Sequence, residues 1–334
     1  ILRRLSQAPP PVSSLMRTTL TTPVPASTVA YWPCEDPAES TVCASALVNG
    51  SPMLFSGTPT FAAFDGFPSS DPVVDLTDCS MAGGIAKYDD PTATQVRFLV
   101  NIPADGLTDG KTICAIDQYE DFVSPVVYWE MYYSTTSNSF TLRSLDGDGA
   151  NLGVDLSHTL DVRGKKLYVS VEFQESGTSL TRAIRLTNVP TRTTVSVTDT
   201  AAVTSLSRVI QVAFGSVSRS AVGPFGTRGL PDTAVGHVTV EKAITAVDVL
   251  GVRLNPIGET AGRRVQRLCA QEAIGFDAVG DLDDSTPMGG QTKLNSLDLM
   301  QECELADDGM LYENLAVLGL GYLTRNGLVN QDPQ

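Results

Sequence analysis

From about residue 29 to residue 250, apolar side chains recur at every second position, and that period of two limits what the chain can become. Val96, Phe98, Val100 and Ile102 alternate with Arg97, Leu99 and Asn101, and Leu167, Val169, Val171 and Phe173 alternate with Tyr168, Ser170 and Glu172. A strand sends successive side chains to opposite faces, so each run reads as a strand with one face on a core. Further strands are expected at 111–118, 126–134, 139–145, 180–187, 194–198, 208–215 and 234–244, each bounded by Gly, Pro, Asn, Asp or Ser. Ser134–Ser139, Asp146–Gly149 and Glu175–Gly177 read as hairpin loops. This many strands with short turns imply two packed antiparallel sheets.

The period changes on both flanks. Residues 1–28 hold a short apolar-basic piece, then Pro9-Pro10-Pro11 and a Ser/Thr/Pro-rich stretch, which reads as an extended connector. After Val249, residues 259–274 place Val265, Leu268 and Cys269 at helical spacing, and residues 293–306 do the same with Leu297, Met300 and Cys303. A polar loop, Gly280–Gly290, separates these helices, and Met310–Glu313 with Leu318–Leu323 read as a hairpin. The expected division is therefore 1–28, a β-sandwich over 29–250, and a small α+β segment over 251–334. The first and last segments are each too short to bury their apolar residues alone, so they are expected to pack together. A chain that opens on Ile1-Leu2-Arg3-Arg4 also reads as a piece of something longer.

Composition narrows the function classes. Across 334 residues, 42% are hydrophobic and 18% charged, which suits packed cores rather than a disordered acidic chain. Lys and Arg total 23 against 38 Asp and Glu, a net charge of -15 that opposes a grip on nucleic acid or anionic lipid. No apolar run approaches the roughly 20 residues of a membrane helix, and no secretion signal follows the N-terminus. The six cysteines include no C-x-x-C pair, so structural zinc is not expected; free thiols are the favoured reading, with Cys34 and Cys43 the leading exception. His158 and His237 lie in no catalytic motif, and strand parity assigns His237 to a surface or interface.

Val29-Ala30-Tyr31-Trp32-Pro33-Cys34-Glu35-Asp36 resembles the opening of the laminin-G-like, concanavalin-like modules inside minor tail proteins of phages that infect actinobacteria. Val235-Gly236-His237-Val238-Thr239-Val240 is similar to the closing strand of those modules, and the intervening strands match by pattern. Glu259–Leu268, Met288–Gln291, Leu297–Glu302 and Asp307–Glu313 are similar to the region that follows the sandwich there. Cys34 stands where a larger apolar residue is expected. The resemblance implies a mainly β, concanavalin-like jelly-roll sandwich with a hub-like α+β segment, in a virion protein of the tail tip or baseplate made in the bacterial cytoplasm. It implies other tail proteins as partners, a homotrimer by analogy with tail hubs, and host-surface glycan as a further contact. The alternatives are a carbohydrate-binding receptor-recognition module and, less favoured, a glycoside hydrolase.

The site candidates follow. Tyr128, Trp129 and Tyr132 form an aromatic run on which a sugar can stack; Trp129, Met131 and Tyr133 share one parity and Tyr128, Glu130 and Tyr132 the other, so one set is core. Trp32 is expected as a core anchor. No cofactor is expected; calcium is the one ion that such loops can hold, with Asp146 and Asp148 as its candidates, although Asp-Gly is common in ordinary hairpin turns. Asp281, Asp283 and Asp284 read as a solvated loop. Concanavalin-like hydrolases need paired carboxylates, no E-x-D-x-x-E occurs, and Asp117, Glu120 and Asp121 read as a solvated strand end. The chain is therefore expected to have no catalytic residues and not to be an enzyme.

Overall fold

The computed structural model describes residues 1–6, 13–118, 128–201, 206–215, 229–246, 258–291, 294–316 and 319–329. The chain forms two compact units, Met16–Gly251 and Ile1–Leu15 with Val252–Gln334.

The larger unit is an antiparallel sandwich. One sheet runs β13 (Thr193–Ala201), β12 (Ser179–Asn188), β11 (Lys166–Ser176), β6 (Ala93–Asn101), β15 (Ala234–Glu241), β4 (Val73–Asp75) and β3 (Thr60–Phe64), with β1 (Thr28–Trp32) also on β15. The other runs β10 (Leu156–Ser157), β9 (Ser139–Leu145), β8 (Tyr128–Ser134), β7 (Thr112–Gln118), β14 (Val209–Phe214), β5 (Cys79–Gly84) and β2 (Met53–Gly57). The two alternating runs that announced the fold lie side by side, Val169 opposite Phe98 and Val171 opposite Val96. Their inward side chains join Trp129, Phe140, Phe173 and Phe214 in one core, where Trp129 stacks on Phe173 and Phe98 meets Phe214 edge-on. Trp32 anchors the opening strand in that core, and its indole Nε1 donates to the Ser51 carbonyl at 2.7 Å.

The connector reading of residues 1–28 needs correcting. Leu15–Thr21 is a helix, because Met16 and Leu20, one turn apart, both find burial. The polar faces of the sheets also differ from expectation. Arg97, Thr239 and Glu241 point away from the core yet are buried, and Arg97 Nη2 bonds Glu241 Oε1 at 2.9 Å. Ser27 and Thr28 hydroxyls donate to the same carboxylate.

In the smaller unit, the helices Ala261–Gln271 and Ser296–Asp307 cover one face of a three-stranded sheet through Val265, Leu268, Cys269, Leu297, Met300 and Cys303. Its sheet pairs β17 (Met310–Asn314) with β18 (Gly319–Leu323) antiparallel, the expected hairpin, and adds β16 (Gly275–Val279) parallel to β18. The N-terminal helix Leu2–Ser6 belongs here: Leu5 is in this core, and the Ile1 ammonium and Leu2 N–H both reach Glu313.

Candidate functional site

The aromatic strand β8 obeys its parity. Trp129, Met131 and Tyr133 face the core, while Tyr128, Glu130 and Tyr132 face outward from the seven-stranded sheet. Trp129 is therefore removed from the binding set: it is 0% exposed, and its indole N–H is taken by Gln118 Oε1 at 3.1 Å. Tyr128 is only 7% exposed, packs with Leu145, and ends against Gly149, whose φ of +82° and lack of a side chain leave room for the ring. Tyr132 keeps more of its surface.

Around Tyr132 the outward face is polar and tightly bonded. The Arg143 guanidinium lies 4.9 Å from the Tyr132 ring centroid, a cation–π contact, and pairs with Glu130 Oε2 at 2.6 Å. Thr112 Oγ1 donates to the other Glu130 oxygen. The Tyr132 hydroxyl donates to Asp155 Oδ2 at 2.7 Å, and Asn151 holds the second Asp155 oxygen. Burial, and then the bond to Asp155, push the Tyr132 phenol up to about 12, so it remains a donor at any physiological pH. Burial also raises the Tyr128 phenol, with the Glu130 charge adding to it. Asp117 shares this face: it pairs in register with Tyr128, while Ala115, two residues earlier on the same strand, pairs with Glu130. Asp117 is a buried residue within β7, not the solvated strand end read from the sequence, because the ladder runs on through Gln118. Glu120 and Asp121 lie outside the described residues.

The loop candidates behave as turns. Asp146 Oδ1 accepts from the Asp148 and Ala150 N–H groups at 2.9 and 2.8 Å, which uses its carboxylate to close the loop, and Asp148 is exposed. Asp283 pairs with Arg263, and Asp281 accepts from the Asp283 N–H. Among the described residues, no three His, Cys, Asp or Glu side chains are arranged to hold a metal.

Sequence reasoning missed a second polar cluster. His237 is 0% exposed and adopts φ +49°, at a register shift between Gly236 and Thr239. Its Nδ1 meets the Tyr31 hydroxyl at 2.8 Å, and its Nε2 faces Glu35 Oε1 at 3.0 Å and Ser70 Oγ at 2.8 Å. The Asp71 N–H donates to Glu35 Oε1 at 2.8 Å and Ser70 Oγ lies 3.0 Å from the same oxygen, so this loop closes over the strand face expected at the surface. The Ser70–His237 contact does not make a nucleophile pair. Ser70 donates to the Asp71 carbonyl at 2.6 Å, and the carboxylate sits on the same ring nitrogen as the serine instead of orienting the other one. The cluster braces the first strand against the last. The one available signal was that Tyr31, Glu35 and His237 all fall in the two stretches that carry the family resemblance. His158 is also structural: Nδ1 accepts from the Leu160 N–H, which assigns the proton to Nε2 facing the Val195 carbonyl, and burial lowers its pKa.

No protein-family model matches the chain, and no curated protein matches it in sequence. Similar solved structures include the enzymatically active domain of tailspike protein 2 from bacteriophage CBA120, 14% identical, TM-score 0.41, covering 63% of this chain and 32% of that one. The CBM2 module of the evolved Dit of Lactobacillus casei BL23 phage J-1 is 14% identical, TM-score 0.37, covering 66% and 98%. Arcelin-5, a lectin-like defense protein of Phaseolus vulgaris, is 10% identical, TM-score 0.36, covering 64% and 98%. The fold is an antiparallel two-sheet β-sandwich, and lectin-like proteins and phage tail modules are among the structures that resemble it. The expectation that the chain is not an enzyme is withdrawn: an enzymatically active tailspike domain and a sialidase are among the structures similar to it, a likeness of fold that by itself assigns this chain no activity. Asp117 and Glu130 also share a face from adjacent strands, a pairing of carboxylates that no motif along a single strand displays.

Proposed function

We propose that this chain is a component of a phage tail whose sandwich binds glycan on the host surface. The observation that carries the binding role is the half-open outward face at Tyr132. There an aromatic ring, a stacked guanidinium and two hydrogen-bonded carboxylates, Glu130 and Asp155, stand together on two adjacent strands and the loop beside them. Sugars present apolar CH faces flanked by hydroxyl groups, and this combination of stacking surface with fixed donors and acceptors matches that pattern. Tyr128 forms the inner wall. The finer assignment is a minor tail protein of the tail tip or baseplate of an actinobacterial phage, with the α+β unit as a hub-like segment that joins other tail proteins as a homotrimer. Its support is the resemblance of the opening and closing strands and of the region after them.

Titration with cell-wall polysaccharide of a host bacterium tests the binding role. Tyr132→Ala and Arg143→Ala are expected to weaken binding at least tenfold, while Leu54→Ala, an exposed position on β2, leaves it unchanged. A folded protein that ignores every wall polysaccharide offered overturns the proposal. A second reading, glycan hydrolysis, is favoured by the placement of Asp117 and Glu130. The two are diagonal neighbours on one face of adjacent strands, and a pair of carboxylates on one face is what glycoside hydrolysis needs. New reducing ends in the same incubation, lost in Asp117→Asn, would establish it. Binding with no reducing ends released by the unmodified protein would remove it.

A further inference from the structure

We propose that Cys34 and Cys43 are a thiol–disulfide site: in the presence of a low-molecular-weight disulfide they form a bond that staples the loop between them. All six thiols are free and buried in the structure, but these two are placed differently from the rest. Both lie in the sandwich core, on segments held side by side by the Ala46 N–H bond to the Tyr31 carbonyl at 2.9 Å and the Ala44 N–H bond to Asp36, and their thiols are neighbours there. Their backbones are held from both sides. Cys43 exchanges two backbone hydrogen bonds with Met53, at 3.1 and 2.9 Å, and next to it the Ala44 N–H donates to the Asp36 carboxylate. Cys34 adopts φ +58°, a left-handed conformation rare for a residue with a side chain, and the Pro33 carbonyl before it accepts from the His237 N–H at 2.9 Å. A bond needs two sulfurs brought together by backbones that cannot drift apart, and here the fold supplies both. The Cys34 thiol also reaches the Trp32 carbonyl at 3.7 Å, as the third thiol nearby, Cys79, reaches the Asp75 carbonyl at 3.8 Å; what separates the two is that Cys34 has the side-chain contact with Cys43.

The exchange balances with glutathione disulfide as oxidant. The Cys34 thiolate attacks one glutathione sulfur, giving a mixed disulfide and one glutathione thiolate. The Cys43 thiolate then attacks the Cys34 sulfur, the protein S–S bond forms, and the second glutathione leaves. The two protons from the protein thiols end on the two glutathione thiolates. Burial holds the Cys34 thiol well above its ordinary pKa, so the reactive thiolate forms only when the loop opens, and the exchange runs over hours. The stapled loop carries Glu35 and Asp36, so the bond would secure the contacts of Glu35 with His237, Ser70 and Asp71.

The test incubates the folded full chain with glutathione disulfide for a day, with a dithiothreitol-treated control. Proteolysis and non-reducing mass spectrometry then read the linkages. The expected result is one Cys34–Cys43 linked peptide lighter by two hydrogen atoms, and a melting midpoint raised by roughly 5 °C. Cys34→Ser and Cys43→Ser should each remove both changes. Six free thiols after incubation, or a Cys43–Cys79 linkage in place of the first, would overturn the proposal. Should either variant fail to fold, the peptide map of the unmodified chain decides alone.

Discussion

In the sandwich, Arg97 and Glu241 pair with each side chain 2% exposed, closed in by the hydroxyls of Ser27, Thr28 and Thr239. In the smaller unit the comparable carboxylate, Glu259, stays 15% exposed and takes two arginines, Arg264 and Arg267. Apolar surface does not divide the units in this way: the sandwich leaves Val48, Leu54 and Val154 exposed, and the smaller unit Val279, Leu305, Met310, Leu315 and Val329. A large unit has chain to spare for covering both faces of a sheet; in the small one Arg264 is buried, but Glu259 and Arg267 stay partly exposed. Charge in the first region should therefore behave as buried ion pairs do, and charge in the second as a partly screened network.

The sharpest break of that comparison comes from Arg97. Arg97→Ala strands Glu241 without its cation in a dry site and is expected to destabilise the sandwich by about 3–5 kcal/mol in denaturant unfolding. Replacing the pair together, Arg97→Met with Glu241→Leu, should be close to neutral, since the desolvation of both charges then disappears along with their attraction. A cheap single substitution would place Arg97 in the screened class with Glu259.

Glu259 supplies the middle effect, and it depends on pH. Burial by itself pushes this carboxyl up, but the guanidiniums of Arg267 and Arg264 outweigh it and hold the carboxyl below its ordinary value of 4.5. A depressed folded pKa contributes stability that is complete above the unfolded value and is lost as the pH falls through the folded one. Stability of the smaller unit should therefore fall as the pH is taken from about 5 to about 3. Glu259→Gln is expected to cost about 1–3 kcal/mol at pH 7 and to flatten that slope. An unchanged slope in the variant would show that other carboxylates set the acid response.

How far such contrasts could be read from the chain depended on the range of the interaction. Every strand expected from alternation is present, because Ala93–Asn101 or Lys166–Ser176 carries its own period. The strands that escaped are short ones without a sustained period: Met53–Gly57, Thr60–Phe64, Leu156–Ser157, the three-residue Val73–Asp75, Cys79–Gly84, which ends in two glycines, and Gly275–Val279 between two helices. The candidate site divides in the same way. Which of Tyr128, Trp129 and Tyr132 share a face is local and was legible. How much of each ring is left open depends on Leu145, Gly149, Arg143 and Asp155, which only the pairing of β8 with β9 and the loop beyond it bring near. His237 is the limiting case: parity correctly turned it from the core, but nothing in its own strand reveals that Glu35, Ser70 and Tyr31 close over the other face.

The smallest expected effect isolates hydrogen bonding from burial, through two tyrosines whose side chains are both fully buried. In the smaller unit the Tyr322 hydroxyl reaches Asp307 Oδ2 at 3.2 Å and the Cys303 carbonyl at 3.3 Å. In the sandwich the Tyr168 hydroxyl has no hydrogen-bond partner among the described residues. Removing a bonded hydroxyl costs about 1 kcal/mol and leaves its acceptors unsatisfied, whereas removing an unbonded buried one relieves a desolvated polar group. Tyr322→Phe is thus expected to lower stability by about 1 kcal/mol, and Tyr168→Phe to leave it unchanged or raise it slightly, as read from denaturant midpoints with equal slopes. Equal losses at both positions would mean that the Tyr168 hydroxyl is bonded to an ordered water, and that the dry, self-covered sandwich is wetter at its outward face than its side-chain burial implies.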